Sequence, residues 1–101
     1  MKTKRFLATI PQDVGNELAR FAQEQGVYAS EVVTRAVTKM SNERPQDEDI
    51  DYVRGDTMGI QLSFSETAYQ LLDMWSTQTK LSKSKLITYS LQQTLLKGER
   101  I

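Results

Sequence analysis

The sequence predicts a mainly α-helical chain built around a two-stranded antiparallel β-ribbon, in the order β-α-α-linker-β-α-α. Three observations predict it. Lys4 to Ser41 and Met58 to Leu95 carry one apolar pattern twice, at an offset of 54 residues (58 − 4), the signature of a repeated supersecondary unit. Within each copy the apolar period changes from two to that of a helix. The 101 residues include no cysteine and no histidine. Neither copy, at roughly 45 residues, has the staple that so small a unit normally needs to fold alone, so the two are expected to share one core.

Each copy opens on a strand. Phe6, Ala8 and Ile10 align with Ile60, Leu62 and Phe64. They alternate with Arg5, Leu7 and Thr9, and with Gly59, Gln61 and Ser63, as in a strand with one buried face. A helix follows. Val14, Leu18, Phe21 and Ala22 form one apolar stripe, and Ala68, Leu71, Leu72 and Trp75 form its counterpart. Pro11 suits the first helical turn. Ser65 is a good N-cap, with Glu66 favouring the helix dipole. Gly26 suits a left-handed helix end. Lys80 holds the equivalent place, where keeping that conformation costs a non-glycine about 1 kcal/mol. The second helices carry Val32, Val33, Ala36, Val37 and Met40, and Ile87, Leu91, Thr94 and Leu95, with Ser82 as the N-cap of the latter. Phe21 and Trp75 fall at matched core positions.

The formal net charge is zero, but it is unevenly spread. Residues 1–44 hold seven basic groups against five acidic. Residues 45–57 hold Arg54 against Asp47, Glu48, Asp49, Asp51 and Asp56. Residues 58–101 hold five basic groups against three. The copies are mildly basic and the linker is acidic. The linker, 42–57, with Pro45 and Gly55, reads as an exposed, mobile spacer, although Ile50, Tyr52 and Val53 are able to pack locally. The apolar run Phe6–Ile10 is too short for a signal-peptide core and no stretch approaches a membrane span. A soluble, cytoplasmic protein is expected.

Strand, helix, short turn and helix, with the second turn reading Leu81-Ser82-Lys83-Ser84-Lys85-Leu86-Ile87, resemble the ribbon-helix-helix family, the MetJ/Arc/CopG superfamily of repressors. The resemblance implies two ribbon-helix-helix repeats, 4–41 and 58–97, joined by the linker in one folded unit of residues 1–101, a single-chain pseudo-dimer. It also implies that outward strand side chains read bases: Arg5, Leu7 and Thr9 on one strand, Gln61 and Ser63 on the other, with Gly59 lacking a side chain. Arg pairs with guanine O6/N7, Gln with adenine N6/N7, and Thr or Leu touches a thymine methyl. Phosphates would sit at the start of each second helix. That implicates Ser30 in the stretch Tyr28–Glu31, and Ser82, Lys83, Ser84 and Lys85, together with Lys4 of the basic N-terminus.

The expected function is therefore sequence-specific binding of double-stranded DNA through a ribbon in the major groove, as a transcriptional repressor or a plasmid or phage accessory protein. Self-association into dimers or side-by-side assemblies on DNA is the further partner expected, with no membrane and no small-molecule substrate. An enzyme is disfavoured: the sequence has no catalytic His or Cys, no phosphate-cradling glycine loop and no spaced metal-ligand set. No cofactor or metal is expected. The alternative is an antitoxin-like protein-interaction module that neutralises a partner and autoregulates.

Overall fold

The computed structural model describes residues 3–50 and 56–96. Met1, Lys2, the linker residues 51–55 with Tyr52, Val53 and Gly55, and the end of the second copy from Lys97 onward lie outside the described residues. Strand β1 (Thr3–Pro11) leads into helices α1 (Gln12–Gln25) and α2 (Ala29–Met40); strand β2 (Thr57–Ser65) leads into α3 (Glu66–Thr79) and α4 (Lys83–Leu91). The strands form one antiparallel two-stranded sheet, paired from Thr3 with Ser65 to Pro11 with Thr57.

Alternation sets the two faces of this ribbon. Ala8, Ile10, Leu62 and Phe64 are buried, whereas Arg5, Leu7, Thr9, Gly59, Gln61 and Ser63 are exposed. The buried side joins one core with Val14, Leu18, Val33 and Val37 from the first half and Leu72, Trp75, Leu86 and Leu91 from the second. The second helices cross over. α2 lies against β2, α4 lies against β1, and α2 packs on α4. Gly15 of α1 gives up its side chain to the close approach of Met58 from β2; a Cβ there would overlap the thioether.

The expected fold, two ribbon-helix-helix repeats in the order β-α-α-linker-β-α-α forming a single-chain pseudo-dimer, needs correction. The observed order is β-α-α, a 3-10 turn at Asp47–Asp49, β-α-α, and a π-helical segment at Gln92–Leu96. The first addition arises because residues 43–50 fold onto the second half. Pro45 and Ile50 are buried, and the Trp75 Nε1–H donates to the Glu43 carbonyl at 2.8 Å. The Gln46 and Asp49 side chains cap the 3-10 turn reciprocally. The described part of the linker is thus a strap rather than a mobile spacer.

The second addition has no counterpart after α2. Thr88, Ser90 and Thr94 are buried, and their hydroxyls donate to the carbonyls of Ser84, Leu86 and Ser90. Such back-bonding competes with the helical ladder and bends helices, here where α4 loosens into the wider turn.

Two helix ends complete the picture. Pro11 closes β1 and stands at the N-cap of α1 instead of inside it. Lys80 adopts the left-handed conformation (φ 62°) that Gly26 adopts at the end of α1 (φ 67°). The Ser76 hydroxyl, donating to the Leu81 carbonyl at 2.6 Å, braces this turn.

Candidate nucleic-acid interface

The exposed face of the ribbon is a ladder of side-chain pairs. Arg5 stands opposite Ser63, Leu7 opposite Gln61, and Thr9 opposite Gly59. Leu7 is 62% exposed and leans along the face, 3.5 Å from where a Cβ on Gly59 would lie. The glycine therefore leaves a gap that Leu7 partly covers. Among the described residues, Arg5 and Lys4 form no ion pair, whereas Arg20 pairs with Glu17 and Glu24, and Arg35 with Glu31. Arg5 is the cation of the exposed face. Lys4 follows the opposite phase of the pleat, opposite Phe64, and is exposed at the ribbon's end beyond the core.

Ser30 and Ser84 occupy the same place in the two second helices, 54 residues apart. Each accepts a backbone N–H from the free edge of a strand. Ser63 N–H donates to Ser30 Oγ at 2.8 Å, and Thr9 N–H donates to Ser84 Oγ at 3.2 Å. Ser82 caps α4 by accepting the Lys85 N–H at 3.2 Å, so its oxygen is engaged by its own helix.

The two lysines at the start of α4 are held by carboxylates. Lys83 lies 3.1 Å from Asp73, with only 22% of its side chain exposed, and its ammonium sits 5.4 Å from the centre of the Tyr69 ring. Lys85 pairs with Asp47 of the strap. A phosphate reaching either lysine has to displace a carboxylate. Both pairs are partly solvated, and a pair of that kind contributes at most about 1 kcal/mol.

The start of α2 differs. Tyr28 takes the place of Ser82 (28 + 54), supplies no side-chain cap, and is 85% exposed. With Ser30, Glu31, Thr34, Gln61, Ser63 and Ser65 it lines an open groove of about 580 Å³ beside β2. Sequence reasoning finds no signal in Tyr28 itself; its alignment with Ser82 is the available clue. Asp47 escapes sequence reasoning as well, because composition assigns it to a solvated spacer.

Trp75 is 1% exposed and lies edge-on to Tyr89 at 6.3 Å, so it packs and offers no stacking surface. Among the described residues there is no group of three or more residues of metal-ligating type and no helix long and apolar enough to cross a membrane. No protein-family model, curated protein or solved structure matches this chain.

Proposed function

We propose that the chain binds double-stranded DNA with sequence preference, laying the exposed face of the β1–β2 ribbon in the major groove. The observation that carries this reading is the ladder itself. A ribbon covered by helices on one side presents Arg5, Thr9, Gln61 and Ser63 on the other, and Arg5 forms no ion pair among the described residues. A two-stranded ribbon has the width of the major groove, and these side chains match base-edge donors and acceptors there. The resemblance of the strand and turn residues to ribbon-helix-helix repressors supports the same use of the ribbon. Phosphate contacts from Lys4 and the starts of α2 and α4 would fix its orientation.

The biological role in keeping with this activity is that of a transcriptional repressor or of an accessory protein at a plasmid or phage site, acting in the cytoplasm. The antitoxin-like alternative gains no support. It needs the acidic linker or the tail free for a partner, and of the linker, residues 43–50 are engaged by Trp75 and Lys85 of the same chain. Selection of bound duplexes from a random pool, followed by mobility shift on the enriched sequence, tests the proposal. Enrichment of one sequence, with its base preference altered by Arg5→Ala and by Gln61→Ala, supports it; no enrichment above a scrambled duplex refutes it.

A further inference from the structure

We infer that Ser30 and Ser84 are positioning residues for base reading, each locking the reading face of one half's strand to the second helix of the other half. The inference rests on the proposed DNA-binding activity and adds residues that do no reading themselves. A two-stranded ribbon has two free edges, whose outward N–H groups have no partner in the sheet. Here one N–H on each edge is taken up by a serine at the second residue of a helix, Ser63 by Ser30 and Thr9 by Ser84. The pattern is reciprocal: 84 − 30 and 63 − 9 both equal 54. It is also crosswise, because Ser30 lies in the first half and grips the second strand, while Ser84 does the reverse.

The gripped residues are themselves on the reading face. Thr9 and Ser63 flank the central Leu7–Gln61 pair, one toward each end of the ladder. Holding their backbones therefore fixes the pitch and roll of the whole ladder against α2 and α4, the elements expected to approach the phosphates. A hydroxyl that accepts an N–H keeps its own O–H to donate. Among the described residues no protein acceptor takes that hydrogen from Ser30 or Ser84. Readers held within a fraction of an ångström discriminate; the same readers on a loose ribbon bind without discriminating. Removing a clamp should therefore cost more at the selected site than on non-specific DNA, and so lower the preference for the selected site.

The test compares the full chain with Ser30→Ala, Ser84→Ala and the conservative Ser30→Thr and Ser84→Thr variants. Two readings are taken: backbone amide hydrogen exchange in the free protein, and affinity for the selected duplex and for a scrambled duplex at one salt concentration. Ser30→Ala should speed exchange at Ser63 and leave Thr9 nearly unchanged; Ser84→Ala should do the reverse. Each alanine variant should lose about tenfold more affinity for the selected duplex than for the scrambled one, the worth of one net hydrogen bond. The threonine variants should restore both.

Equal losses on both duplexes, or exchange that rises everywhere at once, would show a merely structural role and overturn the inference. An alanine variant too unstable to measure leaves the threonine variants to decide: if they keep the fold but fail to keep the preference, the inference is wrong. Unaltered exchange at Ser63 and Thr9 refutes the clamp alone. Failure of the wild-type chain to prefer any duplex refutes the DNA reading, and the positioning role with it.

Discussion

Arg5 and Gln61 should control two different base pairs, and the distance between those base pairs follows from the ribbon. Same-face residues on a strand recur every ~6.7 Å, and base pairs rise by ~3.4 Å. The Arg5–Ser63 and Leu7–Gln61 pairs are neighbours on the exposed face, so their contacts should fall about two base pairs apart. A bidentate contact discriminates by about 1–3 kcal/mol, or roughly 5- to 150-fold. Arg5→Ala should relax the preference at one base pair by that factor. Gln61→Ala should do so at a base pair about two steps away. Lys4 is the control. The pleat turns it off the reading face, so Lys4→Ala should weaken all sequences alike and lower the salt slope by about 0.9 for each phosphate left without its cation. Competition binding against a panel of single-base variants of the selected duplex measures all three. If Arg5→Ala and Gln61→Ala relax the same base pair, or if both weaken every sequence evenly, the ribbon does not read bases in this register.

Asp47→Asn removes one negative charge from beside the start of α4; it should cost at most about 1 kcal/mol of stability and raise affinity for any duplex, as measured by titration at several salt concentrations. Lys80→Gly relieves a left-handed non-glycine residue at an exposed turn and should stabilise the chain by up to about 1 kcal/mol, the relief of strain being offset by unfolded-state entropy; a lower midpoint in urea would contradict it. Trp75→Phe removes the indole hydrogen bond to the Glu43 carbonyl and should cost about 1–3 kcal/mol, with exchange in residues 46–50 rising more than in α2. Residues 1–44 alone lack both the Ser84 clamp on Thr9 and half of the shared core, and should give a poorly dispersed spectrum or self-associate; a well-dispersed monomer would show that the first half folds unaided.

What the sequence made legible was local. Alternation at Gly59–Phe64 located β2 because a half-buried strand leaves a period-two trace whatever covers it. The stripe Val14–Leu18–Ala22 located α1 for the same reason. Composition failed at the linker. A run of Glu and Asp has the polarity of a spacer, yet Pro45 and Ile50 anchor it and Lys85 meets its charge. Burial of two apolar residues outweighs a local average of polarity. The π-helical end failed to show because Thr88, Ser90 and Thr94 look like ordinary helix positions until their neighbours bury them and their hydroxyls turn back to the helix's own carbonyls. At the candidate site, the phase of Arg5, Leu7, Thr9, Gln61 and Ser63 was legible from alternation alone. The partners of Lys83 and Lys85 were not, since Asp73 and Asp47 are distant in sequence and come near only through packing.

The two ends of the ladder are chemically unequal, and that inequality bears on what the ribbon can select. One end carries Arg5 with Ser63; the other carries Thr9 with Gly59, where Leu7 leans into the space left by the missing side chain. The ends of the helices differ in the same sense. α2 begins beside an exposed Tyr28 and the Glu31–Arg35 pair, whereas α4 begins with two lysines restrained by carboxylates. A ribbon of two identical strands meets a palindrome equally well in either orientation. On the proposed reading this one would gain a guanine-type contact from Arg5 in one orientation only, because the residue 54 positions on is Gly59. The linker permits that difference: two strands encoded separately on one chain are free to diverge, while the crosswise grip of Ser30 and Ser84 keeps both in the same frame. The proposed reading therefore predicts a non-palindromic selected core, and a perfect palindrome bound by one chain would place the recognition elsewhere.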